Sequence, residues 1–564
     1  MGSYQRVTAR RPEGIEKKRA FLVGGGIASL AAAAYLIRDG SMRGRQITVF
    51  EELDVLGGSM DGAGNAEDGY IIRGGREMEE HYECTWDLFG QIPLLDDPDR
   101  TVLDEFRELN LADPNVAACR VLYDRGVRDP NTSLGLTHHH VKELTKLILA
   151  TEHELGASTV EEYFSASYLE TYMWLYWRSM FAFQTWHSVV EMKRYMQRFM
   201  HLLPGMSRLE GILFSRFDQY DSFILPLVTW LRAHGVVFDP GARVTDLDVE
   251  ITRGAKTVTA LHLQRDGREE TIPTGADDLV FVTNGSMTES STLGSMSAPA
   301  PLSREPGGSW ALWRTLAKKD PSFGRPDVFC GDIDRTKWES FTITCTDSPM
   351  ADLLHRLTGR DPYSGKLVSG GPFTIKDSSW LLTATCSRQP HFPNQPDNVL
   401  VVWAYGLFPD NVGDFVKKKM GDCTGEELVT ELLYHLGVKD EMPEYLRTLT
   451  VIPCMMPYIT AQFMPREKGD RPDVIPVGST NLAFLGQFAE VADDCVFTVE
   501  YSVRCAITAV YGLLGLHKEV PEVYPSGSDL RVIAAAARTM YDGHLPAQGL
   551  VTHFLKDTSL EGLI

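Results

Sequence analysis

Ala20-Phe-Leu-Val-Gly-Gly-Gly-Ile-Ala-Ser-Leu-Ala-Ala-Ala-Ala-Tyr-Leu-Ile-Arg-Asp39, followed by Gln46-Ile-Thr-Val-Phe-Glu51, decides the fold. Four apolar residues, Ala20 to Val23, predict a buried strand. Gly24-Gly25-Gly26-Ile27-Ala28-Ser29 predicts a tight turn, Leu30 to Asp39 a helix, and Gln46 to Phe50 a second strand ending at Glu51. In such a βαβ unit the glycines let backbone approach a pyrophosphate at a helix N-terminus. Glu51, 25 residues after Gly26, stands where a carboxylate accepts hydrogen bonds from a ribose. Ser29 replaces the usual third glycine or alanine and is small enough for close helix packing. A glycine-rich turn in an unrelated α/β domain is the competing reading, but here strand, turn, helix, strand and acid occur in order.

Working outward, Gly57-Gly58 completes a Glu51-x5-Gly-Gly extension that points to FAD rather than NAD. Later segments fit the same sheet. Leu227 to Ala233 reads as a helix and Gly235 to Phe238 as a strand, with Val244 placed to offer backbone groups to an adenine. Leu279 to Val282 reads as a buried strand ending in Asn284-Gly285-Ser286. Leu482 to Leu485 is another, closed by Gly486 and leading through Asp493-Asp494 into a helix from about Thr498 to Leu514. The expected fold is α/β: an FAD-binding Rossmann-like domain of the two-dinucleotide-fold type with an inserted α+β substrate domain. The expected bounds are 20–120, 225–300 and 450–515 for the flavin domain, 121–224 and 301–449 for the substrate half, and 516–564 for a C-terminal helical segment. Candidate cofactor contacts are Gly24, Gly26, Ala28, Ser29, Glu51, Glu52, Gly58, Ser59, Arg76, Val244, Gly285, Ser286, Gly486, Asp494 and Thr498.

Composition bounds the rest. The 564 residues carry 55 Lys plus Arg against 76 Asp plus Glu, a net charge of −21, which argues against a general nucleic-acid binder. The nine cysteines include no Cys-x-x-Cys pair, so reduced thiols in a cytoplasmic protein are expected. Lys17-Lys18-Arg19 before the apolar run Ala20 to Ile37 imitates a signal peptide or membrane anchor, but three glycines interrupt the run and a second strand follows. No transmembrane segment is expected. Thr137 to His140 holds three consecutive histidines, whose side chains do not share a face, and His187 with Glu191 supplies only two candidates, so no metal site is expected.

Trp174, Tyr176, Trp177, Met180, Phe181, Phe183 and Trp186 crowd one stretch. Helical spacing makes most of them core residues, and together they could wall a long apolar pocket that suits a lipid better than a sugar. In Arg73-Gly-Gly-Arg-Glu-Met-Glu-Glu-His81, two glycines between arginines suggest backbone lying against a flavin. Glu79 and Glu80 are expected to begin a helix carrying His81, Cys84 and Trp86, where they suit its dipole. Glu77, on the loop before it, is a candidate for chemistry or for a salt bridge with an arginine.

Gly24-Gly-Gly-Ile-Ala-Ser-Leu, Glu51-Glu-Leu-Asp-Val-Leu-Gly-Gly-Ser and Arg73-Gly-Gly-Arg-Glu-Met-Glu resemble the oleate hydratases, also called the myosin cross-reactive antigen family. Phe181-Ala-Phe-Gln-Thr-Trp-His-Ser, Arg388-Gln-Pro-His-Phe, Met455-Met-Pro-Tyr-Ile-Thr, Gly486-Gln-Phe-Ala-Glu and Phe497-Thr-Val-Glu-Tyr-Ser extend the resemblance from about residue 20 to 520. It implies an FAD-dependent hydro-lyase that adds water across the cis-9 double bond of oleate, giving 10-hydroxystearate. Glu77 then matches the residue that activates the water, and Tyr195 the one that protonates the alkene. Gln219, Thr385 and His391 match residues around the fatty-acid carboxylate. Ser387 stands where the family commonly has asparagine, which implies a weaker or water-mediated hold. FAD would shape the site, its reduced form stabilising positive charge. The short segment before Ala20 implies a monomer, with a homodimer as the alternative, and peripheral membrane contact stays open. A flavin oxidoreductase of the amine oxidase or lipid desaturase kind, or a flavin-bearing fatty-acid carrier, are the alternatives on the same fold.

Overall fold

The computed structural model describes residues 11–60, 62–75 and 77–543. Its first layer is a five-stranded parallel sheet in the order Leu482–Leu485, Leu279–Thr283, Ala20–Val23, Ile47–Glu51, Val237–Pro240. Ala20 pairs with Leu279 on one side and Ile47 on the other. Ala20–Val23 and Leu482–Leu485 are buried at every residue, as expected of central parallel strands covered on both faces. The helix Ile27–Arg38 buries ten of its twelve residues and packs along Val499–Leu514. The alanine run that imitates an anchor is thus a close helix–helix contact. Among the described residues no helix is long and apolar enough to cross a membrane. Beside this sheet, Arg243–Thr252, Ala255–Arg265 and Arg268–Pro273 form a three-stranded antiparallel sheet.

The second large sheet has eight strands: Thr292–Leu293, Leu449–Met456, Trp338–Thr346, Val399–Gly406, Thr383–Thr385, Phe373–Ile375, Val121–Tyr123 and Val127–Arg128. Along Trp338–Thr346 alternation sorts the faces: Phe341, Ile343 and Cys345 enter an apolar core with Leu428 and Leu432. On the opposite face Thr342 and Thr344 accept hydrogen bonds from the amides of Ile72 and Tyr70, each 2.9 Å. The hairpin Gly62–Asn65/Gly69–Ile72 is thereby laid on the second sheet, and Gly74, Gly75 and Glu77 of the loop after it line two cavities. Helices Tyr172–Phe181 and Val189–Arg198 contribute Met180, Phe181 and Tyr195 to a cavity that this loop also lines.

The sheets redraw the expected domain bounds. Thr292–Leu293 and Leu449–Met456 hydrogen-bond into the second sheet rather than belonging with the flavin half. An apolar strand with no alternation suits either sheet, and only long-range pairing assigns it. The C-terminal segment contains the helix Leu530–Met540, and its residues from 544 onward lie outside the described residues.

Candidate functional site

A groove of about 1580 Å³, open mouth included, runs along the C-terminal ends of the parallel strands, where α/β sheets bind ligands. The helix Ile27–Arg38 starts there with Gly26 as N-cap, no side-chain cap and no acid in its first turn, so its first N–H groups point at whatever anion enters. A Cβ on Gly25 would lie 2.5 Å from Leu56 and 2.9 Å from Glu51 Oε2. Gly58, at φ +60, brings its backbone so near Gly26 that a Cβ would be 3.1 Å from that Cα. Glu51 accepts from the amides of Gly25 (2.6 Å) and Leu53 (2.9 Å), which fixes its carboxylate at the turn. An uncapped helix start, a glycine cradle and a fixed strand-end acid fit a dinucleotide cofactor.

Two further cavities, of about 890 and 630 Å³ with their open mouths included, lie beside the loop that carries Glu77. They share Gly74, Gly75, Glu77, Thr385 and Trp403, so Glu77 stands on the wall common to both. The larger is aromatic, walled by Phe181, Tyr195, Phe199, Trp338, Tyr405 and Phe497. The smaller ends in Asp218, Gln219, Thr385, Ser387 and His391, and touches the groove at Ser59.

Each side chain has a local reason for its place. Met78 and Leu213 exchange backbone hydrogen bonds of 3.0 and 2.8 Å, which holds the loop carrying Glu77. Tyr195 sits in the helix Val189–Arg198, capped by Ser188, and is 1% exposed. Its hydroxyl donates to the carbonyl of Val496, and burial pushes its phenol well above the usual range. The next residue, Phe497, has left-handed backbone (φ 73), a strained turn that presents that carbonyl. Thr385 ends the strand Thr383–Thr385 with its hydroxyl 3.2 Å from Ser369 Oγ. The amide of His391 donates to Gln395 Oε1 (2.7 Å) and its carbonyl accepts from the amide of Asp218 (2.8 Å). Burial pushes the His391 imidazole down to about 4.

A profile of the MCRA family matches residues 17–511. The chain belongs to the MCRA family. It is 44% identical over 582 residues to an oleate hydratase of Streptococcus pyogenes serotype M49 (strain NZ131), covering 100% of this chain and 98% of that protein. It is 31% identical over 565 residues to a linoleate hydratase of Lactiplantibacillus plantarum, covering 93% and 99% respectively. Among solved structures, a cyclohexylamine oxidase from Brevibacterium oxydans IH-35A aligns at TM-score 0.49 and 13% identity, over 88% of this chain and 99% of that one.

In this MCRA-family chain most of the sequence-expected groove residues line the groove: Gly24, Gly26, Ala28, Glu51, Glu52, Gly58, Ser59, Val244, Gly285, Ser286 and Gly486. Three do not. Ser29 is fully buried with its hydroxyl 3.2 Å from Thr283 Oγ1, joining helix to strand. Asp494 is buried in ion pairs with Arg504 (2.9 Å) and Arg198 (3.5 Å), so its charge is spent inside the protein. Thr498 caps the helix Val499–Leu514 and lines the aromatic cavity instead. Arg76 lies outside the described residues. Gln487 and Ser502 line the groove and were not anticipated. Gln487 follows the strand Leu482–Leu485 by two residues, and strand-end position alone could have marked it.

Glu79 and Glu80 do not begin a helix, which spans Glu83–Phe89. Glu79 is 1% exposed and pairs with Arg198 (2.8 Å) and His201 (3.3 Å), and these two partners in the interior outweigh the roughly 0.3–1 kcal/mol a helix dipole offers. His187 precedes its helix, fully buried, accepting the Gln184 amide at Nδ1 (2.9 Å), while Glu191 pairs with Arg466 and Arg471, each at 2.8 Å. They do not share a helix face. Asp414, Glu431 and His435 bring ligand-type atoms within 4.8 Å of one another, but Glu431 accepts from the amides of Asp414, Phe415 and Val416, so the cluster pins a loop.

Proposed function

We propose that this chain is an FAD-dependent fatty acid hydratase that adds water to the cis-9 double bond of oleate, giving 10-hydroxystearate. The observation that carries this reading is the position of Glu77, on the wall shared by an aromatic cavity holding Tyr195 and a polar-ended one holding Gln219, Thr385, Ser387 and His391. The names of its relatives support the same reaction class. An unactivated alkene needs an acid at one carbon and a partly deprotonated water at the other. Tyr195 gives its proton to the alkene, while Glu77 takes one from the water attacking the neighbouring carbon. One water is added and no electron is transferred. Bound in the groove, FAD would supply shape and, in its reduced anionic form, negative charge near the developing cation. Gly24, Gly26, Gly58 and the start of the helix Ile27–Arg38 would hold its pyrophosphate, Glu51 a ribose and Val244 the adenine edge.

The carboxylate of the substrate sits at the polar end against Thr385, Ser387 and Gln219. His391 is neutral at ordinary pH, since burial holds its imidazole at about 4, so it serves as a neutral hydrogen-bonding group rather than a cation. We place the protein in the cytoplasm, all nine cysteines being buried free thiols, and take it as a monomer or homodimer. The test is incubation with oleate and reduced FAD followed by mass analysis. A product heavier by one water supports the reading. Peroxide formation would make the chain an oxidase, and oleate bound but returned unchanged would make it a carrier.

A further inference from the structure

Asp218 is the one acidic side chain, besides Glu77, among the described residues of the smaller cavity, and none of those residues is lysine or arginine. It is 5% exposed. Its Oδ1 accepts the amide of Tyr220 at 2.8 Å, the amide and the carboxyl of Asp221 also reach its carboxyl group, and Oδ2 is buried. The backbone amide of Asp218 donates to the His391 carbonyl, and its carbonyl accepts the Ser222 amide at 3.0 Å, so the residue cannot swing out to water. Gly62 closes the other side: a Cβ there would lie 2.5 Å from Asp218 Oδ1. The titratable groups around it are Tyr220 and Asp221 on its own segment, His391 on the segment it is bonded to, and Glu77 across the cavity. Arg216, nearby in sequence, is turned outward to Glu105 (3.0 Å).

An ionised carboxylate fixed in a cavity whose described residues include no lysine or arginine would repel a ligand carboxylate entering the same space, whereas a protonated carboxyl can donate to it. We propose that Asp218 is a specificity-determining residue of the headgroup end: it accompanies a bound fatty-acid carboxylate in its protonated form, and losing that proton expels the ligand. This rests on the assignment of the smaller cavity to the substrate carboxylate. Burial, and then the neighbouring carboxyl of Asp221, push Asp218 up to about 8, so the proton is present at neutral pH and leaves in mild alkali. For an anionic ligand that binds only the protonated form, affinity is constant below that value and falls above it, by about tenfold between pH 7 and pH 9. A neutral ligand of the same chain length does not feel the change.

The test is calorimetric binding of oleate and of oleyl alcohol to the FAD-loaded protein from pH 6.5 to 9.5, with hydration of oleate followed in parallel. Oleate should weaken about tenfold between pH 7 and pH 9, while oleyl alcohol stays level. Asp218→Asn, which keeps the shape and cannot ionise, should bind oleate independently of pH, and because both proteins meet the same oleate solutions, changes in the lipid itself cancel. Asp221→Asn, which removes the like charge, should move the onset of weakening to lower pH, and it stands in if the first variant fails to fold. Oleate bound and hydrated with the same pH dependence in parent and Asp218→Asn, or with none in the parent, overturns the role of Asp218 and leaves the hydratase reading intact. Oleate that binds at no pH overturns both.

Discussion

Replacing Tyr195 by phenylalanine separates the chemistry of the aromatic cavity from its packing. The ring stands among Phe181, Phe183, Phe463 and Phe199, with centroids 5.0, 5.3, 5.6 and 5.7 Å away, and a phenylalanine keeps all four contacts. What is lost is the hydroxyl and its bond to the Val496 carbonyl. An acceptor left without its donor costs about 1–3 kcal/mol, a shift of only a few degrees in the melting temperature of a chain this long. The catalytic cost is larger. A positioned general acid is worth about 10²–10⁴-fold in rate, or about 3–5 kcal/mol of barrier. The expected result is a protein that melts near the parent, binds oleate and FAD as the parent does, and hydrates at least about a hundredfold more slowly. Because burial holds the phenol well above its ordinary range, the parent should lose no activity through Tyr195 at any ordinary assay pH. Single-turnover hydration measured beside thermal melting is the assay. A variant that melts like the parent and turns over within a few-fold of it would refute the role of Tyr195 and move the acid to another group or a water.

Glu77→Gln keeps the shape of the shared wall and removes the base, so hydration should fall on the order of 10²-fold or more with oleate and FAD binding retained; activity within a few-fold would return Glu77 to a salt-bridge role. Glu51→Ala removes the ribose acceptor and the bonds to the Gly25 and Leu53 amides, and should weaken FAD by about 10–100-fold. A flavin titration checks this, and excess FAD should restore activity by mass action. Glu191 is a stability site: burial alone would raise its carboxyl, but Arg471, Arg466 and Arg194 hold it at about 2. That depression contributes about 3 kcal/mol, fully present above about pH 4.5 and lost as pH falls towards 2. Glu191→Gln should therefore lower stability at pH 7 in urea denaturation and flatten its acid dependence between those values.

The parallel sheet was legible because its signals are local. Ala20–Val23, the glycine turn and Glu51 lie within about thirty residues, and each of the later strands is a short apolar run closed by a glycine or a polar turn. The second sheet was not. Leu449–Met456 pairs with Trp338–Thr346, more than a hundred residues earlier, and Val121–Tyr123 joins Phe373–Ile375. No periodicity within either segment selects those partners, since an apolar run states only that a strand is buried, not against what.

The site divides along the same line. The resemblance singles out Glu77 and Tyr195 as candidates, and it takes the fold to bring residues 77, 195 and 385 to one cavity. Glu79 shows why local rules fail there. Glu79 and Glu80, two acids in a row before a helix, read as favourable dipole partners, yet Glu79 meets Arg198 and His201 in the interior, and a buried charge goes where it finds a counter-charge and hydrogen bonds. Asp494 fails for the same reason, its carboxylate claimed by Arg504 and Arg198. Asp218 is the converse. Its neighbours in sequence, Phe217 and Gln219, give no hint of a buried acid, and it is the closure of Gly62 and His391 around it that takes it out of water. A resemblance can therefore mark single candidate residues such as Glu77 and Tyr195, while the surroundings of a buried group such as Asp218 emerge only from distant segments packing against one another.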